Sequence, residues 1–219
     1  MKKVIINILY LTGILVIAAL TGCSSRSSGG EAGKEKVMME NNRLDTATFG
    51  GGCFWCIEAA FSQLRGVENV SSGYSGGSVA NPTYEEVCTG ETGHAEVVRI
   101  IYDPELISYD KLLEVFWSVH DPTTLNRQGN DTGTQYRSVI FYHNENQKTA
   151  AEKQIKALNE SGILNGPVVT ELSPFEKFYK AENYHQDYYV NNSNKPYCSF
   201  TIKPKLEKIR KVFGELLKK

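Results

Sequence analysis

Thr46-Ala47-Thr48-Phe49-Gly50-Gly51-Gly52-Cys53-Phe54-Trp55-Cys56-Ile57 is the stretch on which the fold turns. Thr46 to Phe49 is rich in β-branched and aromatic residues and predicts a short strand, which the three glycines interrupt. Ile57, Ala60, Phe61 and Leu64 then recur at i, i+3, i+4 and i+7, the spacing of one helix face. A strand that runs through a glycine turn into a helix puts Cys53 at or near a helix start. Further along, Val67 to Gly77 reads as a strand ending in a turn. Glu96, Val98, Ile100 and Tyr102 alternate with Val97, Arg99 and Ile101, as the two faces of another strand do. Ser108 can cap a helix whose Leu112, Phe116 and Val119 share a side. Arg137 to Tyr142 is strand-like. Asn144 with Gln147 predicts a capped helix carrying Ala151, Ile155 and Leu158 and halted near Gly162. Pro167 to Leu172 adds a further strand. Interleaved β and α segments joined by long connections predict helices packed on a mixed sheet.

The chain has 219 residues, 24 basic against 25 acidic side chains and a formal charge of −1. Without a basic cluster there is no electrostatic reason to expect a nucleic-acid partner, and 11% aromatic residues are too many for a mostly disordered chain. Lys2 and Lys3 precede an apolar run from Val4 to Leu20, the pattern of a secretory signal. That run ends in Leu20-Thr21-Gly22-Cys23, which resembles a bacterial lipobox. The expected organisation is a signal peptide over 1–22, a lipidated Cys23 opening a flexible tether over 23–42, and one domain over 43–219. A Gly/Ser-rich tether of that length spans roughly 25 Å. The address this implies is the cell envelope, with the domain held to a membrane through the lipid. An uncleaved transmembrane anchor competes with this reading, but Ser and Gly follow Cys23 where a stop-transfer segment would be basic.

Five cysteines occur: Cys23, Cys53, Cys56, Cys88 and Cys198. A domain of this size has core enough to do without a disulfide framework, and Cys53-x-x-Cys56 has no second paired knuckle to complete a zinc site. A redox role fits the local setting better. At a helix N-terminus, free backbone N–H groups and the helix dipole favour the thiolate of Cys53, and the preceding glycines allow backbone to approach a substrate closely. Cys56 lies one helical turn on, about 5–6 Å away between Cβ atoms. Cys198, in Lys195-Pro196-Tyr197-Cys198, is expected on a loop able to swing over the site, and Cys88 is expected to be buried. A general thiol–disulfide oxidoreductase using the Cys53/Cys56 pair is the competing function, with a non-catalytic peptide-binding lipoprotein behind it.

Gly51-Gly52-Cys53-Phe54-Trp55 resembles the signature of the peptide methionine sulfoxide reductase A family. The resemblance continues through Ser72-Gly73-Tyr74-Ser75-Gly76-Gly77, Asn81-Pro82-Thr83-Tyr84, Gly93-His94-Ala95-Glu96, His120-Asp121-Pro122 and the block from Gln128 to Ser138 that holds Asn130-Asp131 and Gln135-Tyr136. It implies an α+β two-layer sandwich with a ferredoxin-like core. It also implies reduction of methionine-S-sulfoxide, free or in proteins, through a cysteine sulfenic acid and an intramolecular disulfide. By resemblance Cys53 is the nucleophile and Glu96 the acid. Tyr84 and Tyr136 hydrogen-bond the sulfoxide oxygen, Phe54 and Trp55 form the pocket for the S-methyl group, and Asp131 organises that pocket. Many members carry glycine where this chain has Cys56, so Cys56 and Cys198 both stand as candidates to resolve the sulfenic acid. The chemistry calls for no metal and no organic cofactor. The expected reductant is thioredoxin or a thioredoxin-like envelope protein, and a monomer is expected. His120, His143 and His185 receive no chemical role.

Overall fold

The computed structural model describes residues 44–219; the signal, lipobox and tether expected over 1–42 lie outside the described residues. The first strand, β1 (Asp45–Gly51), leads through Gly52 and Cys53 into helix α1 (Phe54–Phe61), as the opening stretch predicts. Then follow β2 (Val67–Ser75), the short helix α2 (Tyr84–Cys88), β3 (Ala95–Tyr102) and α3 (Tyr109–Val119). A two-stranded ribbon of β4 (Arg127–Gln128) and β5 (Asp131–Thr132) precedes β6 (Ser138–Tyr142) and the long helix α4 (Glu145–Ser161). The chain finishes with β7 (Glu171–Pro174), β8 (Phe178–Lys180), the single turn α5 (Tyr188–Asn191), a π-helical turn over Cys198–Ile202 and α6 (Lys203–Val212).

Six strands form one sheet in the order β7-β6-β1-β3-β2-β8. The inner four, β6-β1-β3-β2, are antiparallel throughout, with α1 joining β1 to β2 and α3 joining β3 to β6. That is the ferredoxin-like double βαβ arrangement. β7 adds in parallel to β6 and β8 antiparallel to β2, so the sheet is mixed. β3 is covered on both faces: Val98, Ile100 and Tyr102 join the large core beneath the helices, while Ala95 and Val97 pack with Val139 and Phe141 behind the sheet. Burial of apolar surface on both sides is what selects the near-continuous Val/Ile run of this strand.

Helix α1 departs from the one-sided stripe expected of it. Phe54, Cys56, Ile57, Glu58, Ala59, Ala60 and Phe61 are all buried, because α3 and α6 cover what would otherwise be its solvent face. The predicted caps are present: Ser108 accepts from the Lys111 N–H at 3.3 Å and Asn144 from the Gln147 N–H at 3.0 Å. α4 stops at Gly162, whose φ of 68° is left-handed. The strand expected over Pro167 to Leu172 begins only at Glu171. The Val168 N–H is taken by Asn159 Oδ1 and the Val169 N–H by the Pro122 carbonyl, so neither is available to a ladder.

Phe116 of α3 stacks on Phe49 of β1, ring centroids 4.9 Å apart, and both are fully buried. Phe116→Ala is therefore expected to lower unfolding free energy by about 3–5 kcal/mol in urea titration. A loss below about 1 kcal/mol would show that this stack is not part of the cooperative core.

Candidate active site

Cys53 is the cap residue of α1, where strand becomes helix. Gly52 makes the turn with φ of +87°, and a Cβ there would lie 2.6 Å from the Gln128 side chain; one on Gly51 would lie 3.0 Å from the His120 ring. The glycines therefore make room for the protein's own packing. Next to Cys53, the Phe54 N–H is a free helix-start donor, and it donates to Glu96 Oε2 at 3.0 Å. Glu96 projects from β3 toward α1 and is 1% exposed. Burial pushes its carboxyl up to about 8; the Phe54 hydrogen bond works the other way, and the Asp131 charge adds to the rise. Glu96 thus carries its proton at neutral pH.

Cys53 and Cys56 are both buried and hydrogen-bonded to each other. Burial pushes the Cys53 thiol well above its ordinary range, and its hydrogen bond to Cys56 and the Glu96 charge push the same way. Cys56 is drawn down to about 7, chiefly because Cys53 donates to it, and against the cost of burial. The thiolate expected on Cys53 from its helix position is thus held by its neighbour. Desolvation outweighs the helix dipole at the cap, while one donated hydrogen bond stabilises the charge on Cys56.

Five other residues with expected roles stand around this pair. Tyr84 opens α2, placed by a capping box between Thr83 and Glu86, and its N–H donates to Glu182 Oε1 at 2.8 Å. Burial raises the Tyr84 and Tyr136 phenols, and the Glu96 charge acts on both, so each remains a hydroxyl donor near that carboxyl. Phe54 is buried against Tyr74 and His185. Trp55 is half-buried and stacks on Tyr188 at 3.6 Å with an interplanar angle of 5°. Asp131, on the ribbon, accepts the Tyr197 hydroxyl at 2.8 Å and lines a cleft of about 420 Å³ with Gln128, Tyr197, Phe200 and Lys205.

Two cysteine expectations change. Cys88 is exposed at the end of α2, whose inward position is taken by Val87. Cys198 is fully buried in the π-helical turn instead of lying on a loop. Several functional contacts have no counterpart in the sequence reading. The Trp55 indole N–H donates to His185 Nδ1 at 3.1 Å, which sets the ring's orientation. Glu58, buried on α1, accepts the Tyr188 N–H at 3.3 Å, and Tyr197 reaches both thiols. The cluster of tyrosines and His185 between 184 and 197 is the one signal that could have directed attention there. His120 is structural: its Nδ1–H donates to the Phe116 carbonyl, its Nε2 accepts from Ser138, and burial pushes it down to about 4.

A family model described as "Peptide methionine sulfoxide reductase" matches residues 45–217. The chain is 59% identical over 172 residues to the peptide methionine sulfoxide reductase MsrA of Sulfolobus acidocaldarius, covering 78% of this chain and 97% of that one. Among solved structures it resembles methionine sulfoxide reductase A of Corynebacterium diphtheriae, with a TM-score of 0.61 and 38% identity over 68% of this chain and 76% of that one. It also resembles reduced Mxr1 from Saccharomyces cerevisiae, with a TM-score of 0.64 and 32% identity over 72% and 90% of the two chains.

The thiols are expected to titrate in a definite order. With ¹³Cβ-labelled cysteine, Cys56 should show a midpoint near pH 7 while Cys53 and Cys198 remain protonated past the ordinary thiol range. A Cys53 midpoint below that of Cys56 would contradict the assignment.

Proposed function

We propose, since the chain belongs to the peptide methionine sulfoxide reductase A family, that Cys53 is the nucleophile and Glu96 the acid of its reaction. The activity is the thiol-dependent reduction of methionine sulfoxide to methionine. The observation that carries the assignment is the buried Glu96 carboxyl hydrogen-bonded to the same helix start that presents Cys53, where burial favours its protonated form. Sulfoxide reduction needs a soft nucleophile at sulfur and a proton at the departing oxygen, and these two groups supply both.

In the proposed sequence, Cys53 attacks the sulfoxide sulfur and passes its proton to the Cys56 thiolate, to which it is already hydrogen-bonded. Glu96 protonates the oxygen. Tyr84 and Tyr136 donate to that oxygen as charge grows on it, which stabilises the transition state more than the ground state. The oxygen then passes from the methionine sulfur to the Cys53 sulfur as the sulfoxide S–O bond and the transient bond between the two sulfurs break, so methionine leaves and Cys53 carries the hydroxyl as sulfenic acid. Trp55 and Phe54 receive the methyl group, and membership of the family implies the S epimer. Cys56 then attacks the sulfenic sulfur, forming the Cys53–Cys56 disulfide and releasing water. The contact already present between these two thiols supports Cys56 as the first resolver. Cys198 acts afterwards, by exchange. A disulfide oxidoreductase would use the same pair but has no need of the protonated carboxyl or the two phenols.

The reductant we propose is a thioredoxin or an envelope protein of that type, which accepts the disulfide and restores the thiols. The Leu20-Thr21-Gly22-Cys23 box supports export, cleavage before Cys23 and attachment by lipid, with the enzyme acting as a monomer at a membrane surface.

Three measurements test this reading. Cys53→Ser should abolish methionine release, and Glu96→Gln should slow the first turnover by about 10²–10⁴-fold, with the wild-type rate falling as pH rises through about 8. A wild-type rate in Glu96→Gln would remove the acid. In Cys198→Ser, two thiols should still disappear per methionine formed; accumulation of sulfenic acid there, with normal disulfide formation in Cys56→Ser, would make Cys198 the resolver. Intact mass in the native host should show a diacylglyceryl adduct on Cys23, and its absence would end the lipoprotein reading.

A further inference from the structure

Tyr197 adjoins Asp131, Trp55 and both cysteines of the pair without having a part in the chemistry. Its hydroxyl donates to Asp131 Oδ2 at 2.8 Å, lies 3.9 Å from Cys56 Sγ and acts on the ionisation of Cys53. Its ring meets Trp55 edge-on, centroids 5.8 Å apart at 79°. Under this cover the two thiols are buried. The next residue is Cys198, also buried, and it begins the π-helical turn Cys198–Ile202. Such turns are rare and recur at functional sites. Phe200, two residues on, is 83% exposed, so side-chain packing holds only part of this turn. Tyr197 is thus the polar tie between the segment that carries Cys198 and the ribbon that carries Asp131.

We propose that Tyr197 is the positioning residue that keeps the reduced site closed. Its bridge to Asp131 covers the Cys53–Cys56 pair and holds Cys198 in its buried place; the bridge loosens once the thiols it touches have become a disulfide. This rests on the reading that Cys53 and Cys56 bond to each other first. Formation of that disulfide draws the Cys56 sulfur toward Cys53 and away from the phenol oxygen it faces at 3.9 Å, leaving the Asp131 bond alone to hold the segment. Cys198 then attacks the Cys56 sulfur: the Cys198 thiol and the Cys53–Cys56 disulfide give a Cys56–Cys198 disulfide and a free Cys53 thiol, with no outside oxidant. Latching Cys198 until this point would prevent it from competing with Cys56 for the sulfenic acid.

Tyr197→Phe keeps the ring and removes only the hydroxyl. In the reduced full-length protein, alkylation of Cys56 by iodoacetamide at pH 7 should become about tenfold faster, the scale of one hydrogen bond to a charged group. After one equivalent of methionine sulfoxide without reductant, the Cys56–Cys198 disulfide should likewise form about tenfold sooner. Asp131→Ala should match the faster alkylation, the double variant should not exceed either single one, and Asp131→Asn, whose amide oxygen still accepts, should stay slow. A role confined to stability would move the melting temperature without this pattern. Should Tyr197→Phe lose cooperative melting, the Asp131→Ala and Asp131→Asn pair decides the same question. Alkylation and disulfide timing within twofold of wild type in Tyr197→Phe would overturn the proposal. Methionine release persisting in Cys53→Ser would instead overturn the assignment of the nucleophile, whatever Tyr197 does.

Discussion

A single buried carboxyl organises this protein's site. Glu96 leaves the central strand β3 beneath the start of α1, where its oxygen meets the Phe54 N–H. A helix start supplies donors that must find partners, and a buried carboxyl needs a donor, so each satisfies the other. The contact fixes how α1 meets the sheet and therefore where Cys53 and Cys56 stand. The proton it retains has a cost elsewhere. A carboxyl whose folded value lies near 8 binds its proton more tightly folded than unfolded, so its contribution to stability declines as pH rises from the ordinary carboxylate range to about 8 and is constant above.

Two further carboxyls hold the aromatic walls. Glu182 takes the Tyr74 hydroxyl at 2.9 Å and the Tyr84 N–H at 2.8 Å, tying α2 to the far edge of the sheet. Burial opposes its charge, but these hydrogen bonds hold it below its usual value. Glu58, pushed up by burial, steadies the start of α5 through Tyr188, whose ring lies flat on Trp55. His185 completes the frame by accepting from the indole. An aromatic pocket is only as selective as its rings are fixed, and here Trp55 is anchored by His185, Tyr74 by Glu182 and Tyr197 by Asp131.

Much of this is legible in the chain itself, for local reasons. The strand, glycine turn and helix around Cys53 follow from composition and period, as do the caps at Ser108 and Asn144 and the stop at Gly162. The family motifs single out Glu96, Tyr84, Tyr136 and Asp131, which the fold brings within electrostatic reach of one another. What escapes is set by distance along the chain. Trp55 and His185 are 130 residues apart and Tyr197 is 66 from Asp131, so no local pattern announces either pair. Cys88 was expected inside although Val87 takes the inward place of that short helix, and Cys198 was expected on a loop although its segment winds into the core. The ionisation of Cys53 is the most instructive difference. Helix position argues for a thiolate, but the depth of burial that reverses the balance is a property of the tertiary fold.

The protonation of Glu96 is the claim on which the account rests, and it can be observed directly. With ¹³C-labelled glutamate and the resonance assigned by its loss in Glu96→Gln, the carboxyl carbon of Glu96 in the reduced, folded protein should titrate with a midpoint near pH 8. A midpoint in the ordinary carboxylate range, about 4–5, would mean that Glu96 is ionised at neutral pH and has no proton to give the sulfoxide oxygen.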